Sequence, residues 1–251
     1  MRRHALTNAQ WEQIKSLLLG RAGHVGAPAK NSRLLVDAVL YRYRCGIAWR
    51  DLPQRFGDFR VVHLRHMRWS RSGVWLRVFE ALSALPDNEY AMIDATIVRA
   101  HQHSAGDKKG AQSQAIGRSR GGLSTKIHAT VDALGNPTGF HLTAGQASDL
   151  EGADVWLART DAQAVIADKA YDAHERVVEP LLRQGKQVVI PSIRTCKTQR
   201  GYDRHVYQER HLIENFSARL KQYRGIATRY DKTAAAFLGG IHLAAAVVWL
   251  N

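Results

Sequence analysis

Near its C-terminal end the chain reads YQERHLIENFSARLK, which places Tyr207, Arg210, Glu214 and Lys221 at offsets of zero, three, seven and fourteen. At about 100° per residue these four positions fall within about 60° of one helix face. Leu212, Ile213, Phe216 and Leu220 fall on the opposite face, which suits a core. A lone carboxylate between cations and a phenol can be a solvated surface with i,i+3 and i,i+4 pairing. The same set can also hold a divalent metal beside a phosphodiester. Two more acids stand in unusual places: Asp94 inside the apolar run MIDAT, and Asp168 at the end of VIAD. Aspartates in strands are unfavourable unless paired, hydrogen-bonded or metal-bound. Taken singly, Asp94 reads as a strand-end turn residue and Asp168 as a partner of Lys169 or of an arginine. Together with Glu214 they make three convergent carboxylates. Such hard oxygen ligands suit Mg²⁺ or Mn²⁺, which can activate an attacking water or hydroxyl.

The elements that must position these residues divide the 251-residue chain into a helical first third and a mixed remainder. LTNAQWEQIKSLLL has Thr7 or Asn8 as a cap and apolar residues at helical spacing. Gly20 to Pro28 reads as a loop, Ser32 as the cap of a second helix ended by Gly46, and the segment around Pro53 as a short turn. Two further helices follow, RVVHLRHMRWSRSG and VWLRVFEALSAL. LPDNEY, residues 85–90, is a linker. Beyond it the pattern changes to strands. AMIDATIVRA is one, STKIHATVDALGNPTGFHLTAG is a hairpin around Gly-Asn-Pro, and AQAVIAD and KQVVIPSI are two more. LEGADVWLAR and AHERVVEPLLRQG are helices between them. Residues Gly106 to Gly122, polar and glycine-rich, read as a mobile loop and lack the P-loop pattern. The expected fold is α/β: a mixed sheet flanked by helices over residues 87–251, with an all-α basic module over residues 1–86.

The net charge is +14, and residues 1–82 carry 15 Lys/Arg against 5 Asp/Glu. A basic first third points to a polyanion partner, most simply nucleic acid. Arg65 and Arg68, on the basic helix after a tight turn, are the DNA-binding candidates there, as in a helix-turn-helix module. No lipidation motif, polybasic tail or N-terminal apolar signal argues for a membrane. The apolar stretch AAAFLGGIHLAAAVVWLN is broken by Gly239, Gly240 and His242 and reads as a buried terminal helix. Cys45 and Cys196 are far apart in sequence and read as free thiols of a reducing cytoplasm.

The chain resembles bacterial insertion-sequence transposases of the DDE class, closest to the insertion-sequence-five branch. Their Y-x2-R-x3-E-x6-K pattern matches at Tyr207, Arg210, Glu214 and Lys221. IADKAYD and MIDATIVRAH resemble the segments with their second and first aspartates, and GRSRGGLSTKIH, LTNAQW and CGIAWRDLPQRFG are also typical. The resemblance implies a ribonuclease-H-like catalytic domain in which Asp94, Asp168 and Glu214 hold Mg²⁺ or Mn²⁺, with Asp172 the fallback second acid. Tyr207, Arg210 and Lys221 then contact DNA phosphates. It further implies cleavage of double-stranded DNA at terminal inverted repeats, strand transfer of 3′-hydroxyl ends into target DNA, and a homodimer or larger assembly when the ends are paired. The implied setting is the nucleoid-associated bacterial cytoplasm. Only 45 residues separate Asp168 from Glu214, too few for a large inserted domain. Rival readings are a nuclease that only hydrolyses, a DNA-binding repressor with a dead catalytic domain, a covalent recombinase, and a zinc site at His101 and His103.

Overall fold

Thr7 starts the first helix by a capping box. Its hydroxyl accepts the Gln10 N–H, and the Gln10 side chain accepts the Thr7 N–H. The computed structural model describes residues 4–19, 31–105, 114–196 and 199–251. The loop expected over Gly20 to Pro28 lies outside the described residues, as does the first half of the Gly106 to Gly122 segment.

By contacts the chain forms two units, one of Met1–Ala84, Ala100–Gly110 and Leu220–Asn251, the other of Leu85–Arg99 and Ala111–Arg219. The first is helical. It holds α1 (Asn8–Ile14), α2 (Ser32–Cys45), α3 (Phe59–Arg71) and α4 (Val74–Leu82). The cap of α2 is Asn31 rather than Ser32: its side chain accepts the Leu34 N–H, a reach that Ser32, already helical, does not have. Gly46 closes α2 at φ 67°, a left-handed conformation that glycine adopts without strain. The same unit contains the short α9 (Arg224–Ala227) and the terminal α10 (Ala234–Trp249), which packs on α2, α3, α4 and α9. Gly239 and Gly240 permit that approach, since a Cβ at Gly240 would lie 2.1 Å from Tyr43 Cζ. Among the described residues no helix is long and apolar enough to cross a membrane.

The interior of this unit holds a buried ion pair within a hydrogen-bonded network. Arg42 pairs with Asp231 at 3.0 Å, and both side chains are buried. The Tyr43 hydroxyl lies 3.2 Å from Asp231 Oδ2 and 3.2 Å from His66 Nε2. Trp75 Nε1 donates to His66 Nδ1 at 3.2 Å, which leaves the His66 Nε2–H to face Tyr43. Burial pushes the His66 imidazole down to about 4, the state that this neutral tautomer requires.

The second unit is built on a sheet. Its strands are β1 (Tyr90–Ala100), β2 (Gly117–Ser119), β3 (Gly122–Val131), β4 (Pro137–Ala144), β5 (Ala164–Ala167) and β6 (Gln187–Val189). β1 is central, antiparallel to β3 and parallel to β5, with β4 beyond β3 and β6 beyond β5. β2 pairs with the start of β3. Three consecutive antiparallel strands followed by parallel additions on the other side of β1 make the mixed, ribonuclease-H-like sheet that the sequence order implies.

Helices cover both faces. α5 (Leu150–Trp156) and α6 (Glu179–Arg183) lie over the face that carries Ile93, Val165, Ala167 and Val188. α6 is preceded by a π turn, His174–Val178, in which Ala173 O accepts from both Val177 and Val178. Pro180 explains it: the proline ring crowds the carbonyl four residues back, and a wider turn relieves that clash. Two more helices, α7 (Arg204–Gln208) and α8 (His211–Lys221), follow β6, with the last two residues of α8 in the helical unit. Phe216 of α8 meets Phe140 of β4 at 5.8 Å between ring centroids, which puts α8 on the second face.

Candidate active site

Strand register brings the two aspartates together. Met92 pairs with Ile166 and Ile93 with Ala167, so Asp94 and Asp168 are the next residues along two adjacent parallel strands. Side chains alternate, so both carboxylates share the face of Met92 and Ile166. Asp94 is also opposite Ala129, which is opposite Phe140, the residue that touches α8. Both aspartates therefore point to the face that α8 covers. Asp94 lies within β1, which continues through Thr96 to Ala100, so it is no strand-end turn residue. Asp168 caps the turn after β5 by accepting the Ala170 N–H at 2.8 Å, and it is not tied up by Lys169 in an ion pair.

α8 supplies the third acid. Ile213, Phe216 and Leu220 are buried, which turns Glu214 outward on the first turn of the helix. The helix expected to run unbroken from Tyr207 to Lys221 is interrupted between α7 and α8. Glu209, Arg210 and Leu212 donate to carbonyls three residues back, so the chain turns tightly there before α8 begins. Arg210 stands on that turn and pairs with Glu214 across one helical turn. Its guanidinium also lies 5.9 Å from the Tyr207 ring centroid. Tyr207, Arg210 and Glu214 are thus one group. Lys221 is exposed at the end of α8, about 10 Å further along the axis.

Electrostatics link this group to the aspartates. The Asp94 carboxyl is pushed up to about 6, first by burial, then by the nearby charges of Asp168 and Asp149. The Ala95 N–H and Arg210 oppose that rise. Among the described residues no three His, Cys, Asp or Glu side chains form a ready cage for a metal ion. The donor set nevertheless fits a hard divalent cation. It consists of carboxylates, and burial raises the Asp94 carboxyl although Arg210 opposes that rise.

Four neighbours escape a reading of the sequence. Asp149 stands at the N-cap of α5 yet caps nothing; its carboxylate takes Lys126 Nζ at 2.5 Å instead. Lys126 is 8% exposed, a lysine turned inward from β3, and it also donates to Ala147 O. Gly152 sets the height of α5 above β3, because a Cβ there would lie 2.4 Å from His128 Nδ1. Tyr171, one 3₁₀ turn after Asp168, is buried, and among the described residues its hydroxyl has no hydrogen-bond partner. Burial, then Asp149, Asp94 and Asp168, raise its pKa. In sequence Asp149 passes for an ordinary helix cap and Tyr171 for core. Only the inward Lys126 in an alternating strand could have given a signal.

Asp172, the fallback second acid, is committed elsewhere. It accepts the Ile193 N–H at 2.6 Å and Arg200 at 2.8 Å, and so fastens the segment after β6. His101 and His103 belong to the helical unit, where His101 Nδ1 accepts the His103 N–H at 3.2 Å and the ring of His101 packs against Tyr230. That spends the lone pair a zinc ion would need on Nδ1. Arg65 and Arg68 stand on α3, also in the helical unit.

Residues 87–249 match the family described as "Transposase DDE domain", and residues 6–79 match the one described as "Putative transposase of IS4/5 family". A Brucella ovis protein named "Putative transposase for insertion sequence element IS6501" is 40% identical over 132 residues, 51% of this chain and 100% of that protein. A Sinorhizobium fredii protein, "Uncharacterized protein y4sN", is 44% identical over 104 residues, 41% of this chain and 83% of that one. With two adjacent strand aspartates facing a helix that carries a glutamate, and with family matches over most of its length, the chain belongs to the DDE transposases of insertion sequences, in the IS4/5 family.

Proposed function

We propose that Asp94, Asp168 and Glu214 are the catalytic acids of this transposase and hold Mg²⁺ or Mn²⁺ between them. The supporting observation is the placement of Asp94 and Asp168 side by side on the sheet face on which α8 lies, with the Asp94 carboxyl pushed up to about 6 by burial. When bound, a divalent cation supplies charge that polarises a phosphodiester and acidifies an attacking water. The chain's own residues do the rest. Arg210 leaves Glu214 for a DNA phosphate, which frees the glutamate to turn toward the aspartates. Tyr207 and Lys221 steady neighbouring phosphates. Water then adds across a P–O bond at the end of the element and releases a 3′-hydroxyl. That hydroxyl attacks a target phosphodiester, one P–O bond forming as another breaks, so no energy source and no covalent protein–DNA link is needed.

The helical unit binds the terminal inverted repeats, with Arg65 and Arg68 on phosphates, and two copies pair the two ends before cleavage. Double-stranded DNA as the partner places the reaction in the bacterial cytoplasm. The pairing of Glu214 with Arg210 is the one observation that favours a protein that binds without cutting.

The test is cleavage of a duplex carrying the repeat, with Mg²⁺ or Mn²⁺, by wild type and by Glu214→Gln, Asp94→Asn and Asp168→Asn. A metal-dependent nick at the repeat boundary that falls at least about a thousandfold in each variant, with end binding kept, is the expected result. Binding without cleavage under every metal condition would instead establish the binding-only protein.

A further inference from the structure

The surface of α3 is built for more than phosphate contact. Its buried stripe is Val62, His66 and Trp69. On the opposite side Arg60, Val61, Leu64, Arg65, Arg68 and Arg71 fall within an arc of about 140°. Val61 is 63% exposed and Leu64 is 52% exposed, although both are large aliphatics on a well-formed helix. Four arginines surround them and no acid stands on the helix itself; Asp58 is only its cap. Among the described residues none of the four arginines makes an ion pair, in contrast to Arg42, Arg176, Arg183, Arg200 and Arg210.

Resting on the reading that the helical unit binds DNA, we propose that α3 enters the major groove and that Val61 and Leu64 select thymine through its 5-methyl group. The charge of the face fits a polyanion, and the arginines can straddle the groove to its two phosphate rims. The 13-residue helix is about 20 Å long and fits a groove about 12 Å wide. Within that groove the thymine methyl is the apolar feature of the base edges, so it is the group that two exposed aliphatics can bury. Arginine alone fixes position; the aliphatic pair supplies sequence preference at the repeat ends. A second copy packing on this face would bring four arginines against four, which charge disfavours.

The experiment uses the DNA that flanks the open reading frame, made as two duplexes, one with thymine and one with deoxyuridine at every thymine position. Binding of the full chain is measured at several salt concentrations for wild type, for Val61→Ala with Leu64→Ala, and for Arg68→Ala. Wild type is expected to bind the deoxyuridine duplex about fourfold more weakly per contacted methyl. The aliphatic double variant is expected to bind both duplexes alike. Arg68→Ala is expected to weaken binding to both, keep the ratio between them, and flatten the salt dependence. Equal wild-type affinity for the two duplexes, or an undiminished ratio in the double variant, overturns the proposal alone. A change of sedimentation in the double variant without DNA, with no change in the ratio, assigns the face to contact between copies and overturns it too. No binding to either duplex sinks the underlying reading along with it. Both aliphatics are exposed, so an unchanged melting temperature shows that the double variant is folded.

Discussion

The two units of this protein treat charge in opposite ways. Inside the helical unit the buried Arg42 has Asp231, and Tyr43 and His66 extend that pair into a polar network that the buried Arg229 also faces. In the sheet unit Asp94, Asp168 and Asp149 crowd one end of the strands, and the cations near them, Arg210 and Lys126, are each already committed to Glu214 and Asp149. A buried network in which the acid is paired serves the fold. One in which acids crowd together costs stability in the free protein, as functional sites commonly do. The exposed face of α3 repeats the crowded case with the sign reversed.

Measurements on variants and on acid unfolding test this contrast. The largest effect is expected in the buried ion pair of the helical unit. Asp231→Ala leaves Arg42 buried and unpaired, and should destabilise the protein by about 3–5 kcal/mol in urea unfolding. A loss below about 1 kcal/mol would mean that Arg42 does not depend on Asp231. Acid should act next. His66, His128 and His242 are all pushed down to about 4, in each case first by burial. A folded pKa below the unfolded one means stability that is present above pH 6.5 and is lost as pH falls toward 4, by up to about 3 kcal/mol per residue. Two of the three stand in the helical unit, so hydrogen exchange at pH 5 should show that unit loosening first. Faster exchange in the sheet strands would reverse the comparison.

Asp94 shifts the other way. Its folded pKa, about 6, lies above the unfolded value, so ionising it as pH rises from about 4 to 6 costs stability. Asp94→Asn removes that cost and should raise stability at pH 8, without divalent ions, by at most about 3 kcal/mol, while the same variant loses cleavage. A less stable Asp94→Asn would show that the carboxylate is compensated after all. The smallest change is expected from Tyr171→Phe. Removing a buried hydroxyl with no partner among the described residues should leave stability unchanged or raise it by about 1 kcal/mol. A clear loss, seen as a lower melting temperature, would reveal a hydrogen bond to one of the neighbouring acids.

Much of this was legible in the chain itself, because it rests on local rules. The alternation in STKIHATV and PTGFHLTA made a hairpin around Gly135, and the apolar run at Ile213, Phe216 and Leu220 dictated which side of α8 is buried. Aspartates at 94 and 168 stood out because strands do not favour them. The break between α7 and α8 was not legible, since no proline or glycine marks it. Nor was the role of Asp172, which reads as well as Asp168 in IADKAYD until Arg200 and the Ile193 N–H are seen to occupy it. Asp149 and Lys126 lie 23 residues apart and meet only because α5 is seated on β3 through Gly152. Residue type and periodicity determined which side chains are out of place; register and packing alone decided which of them share a face, because long-range pairing brings together groups that no local spacing connects.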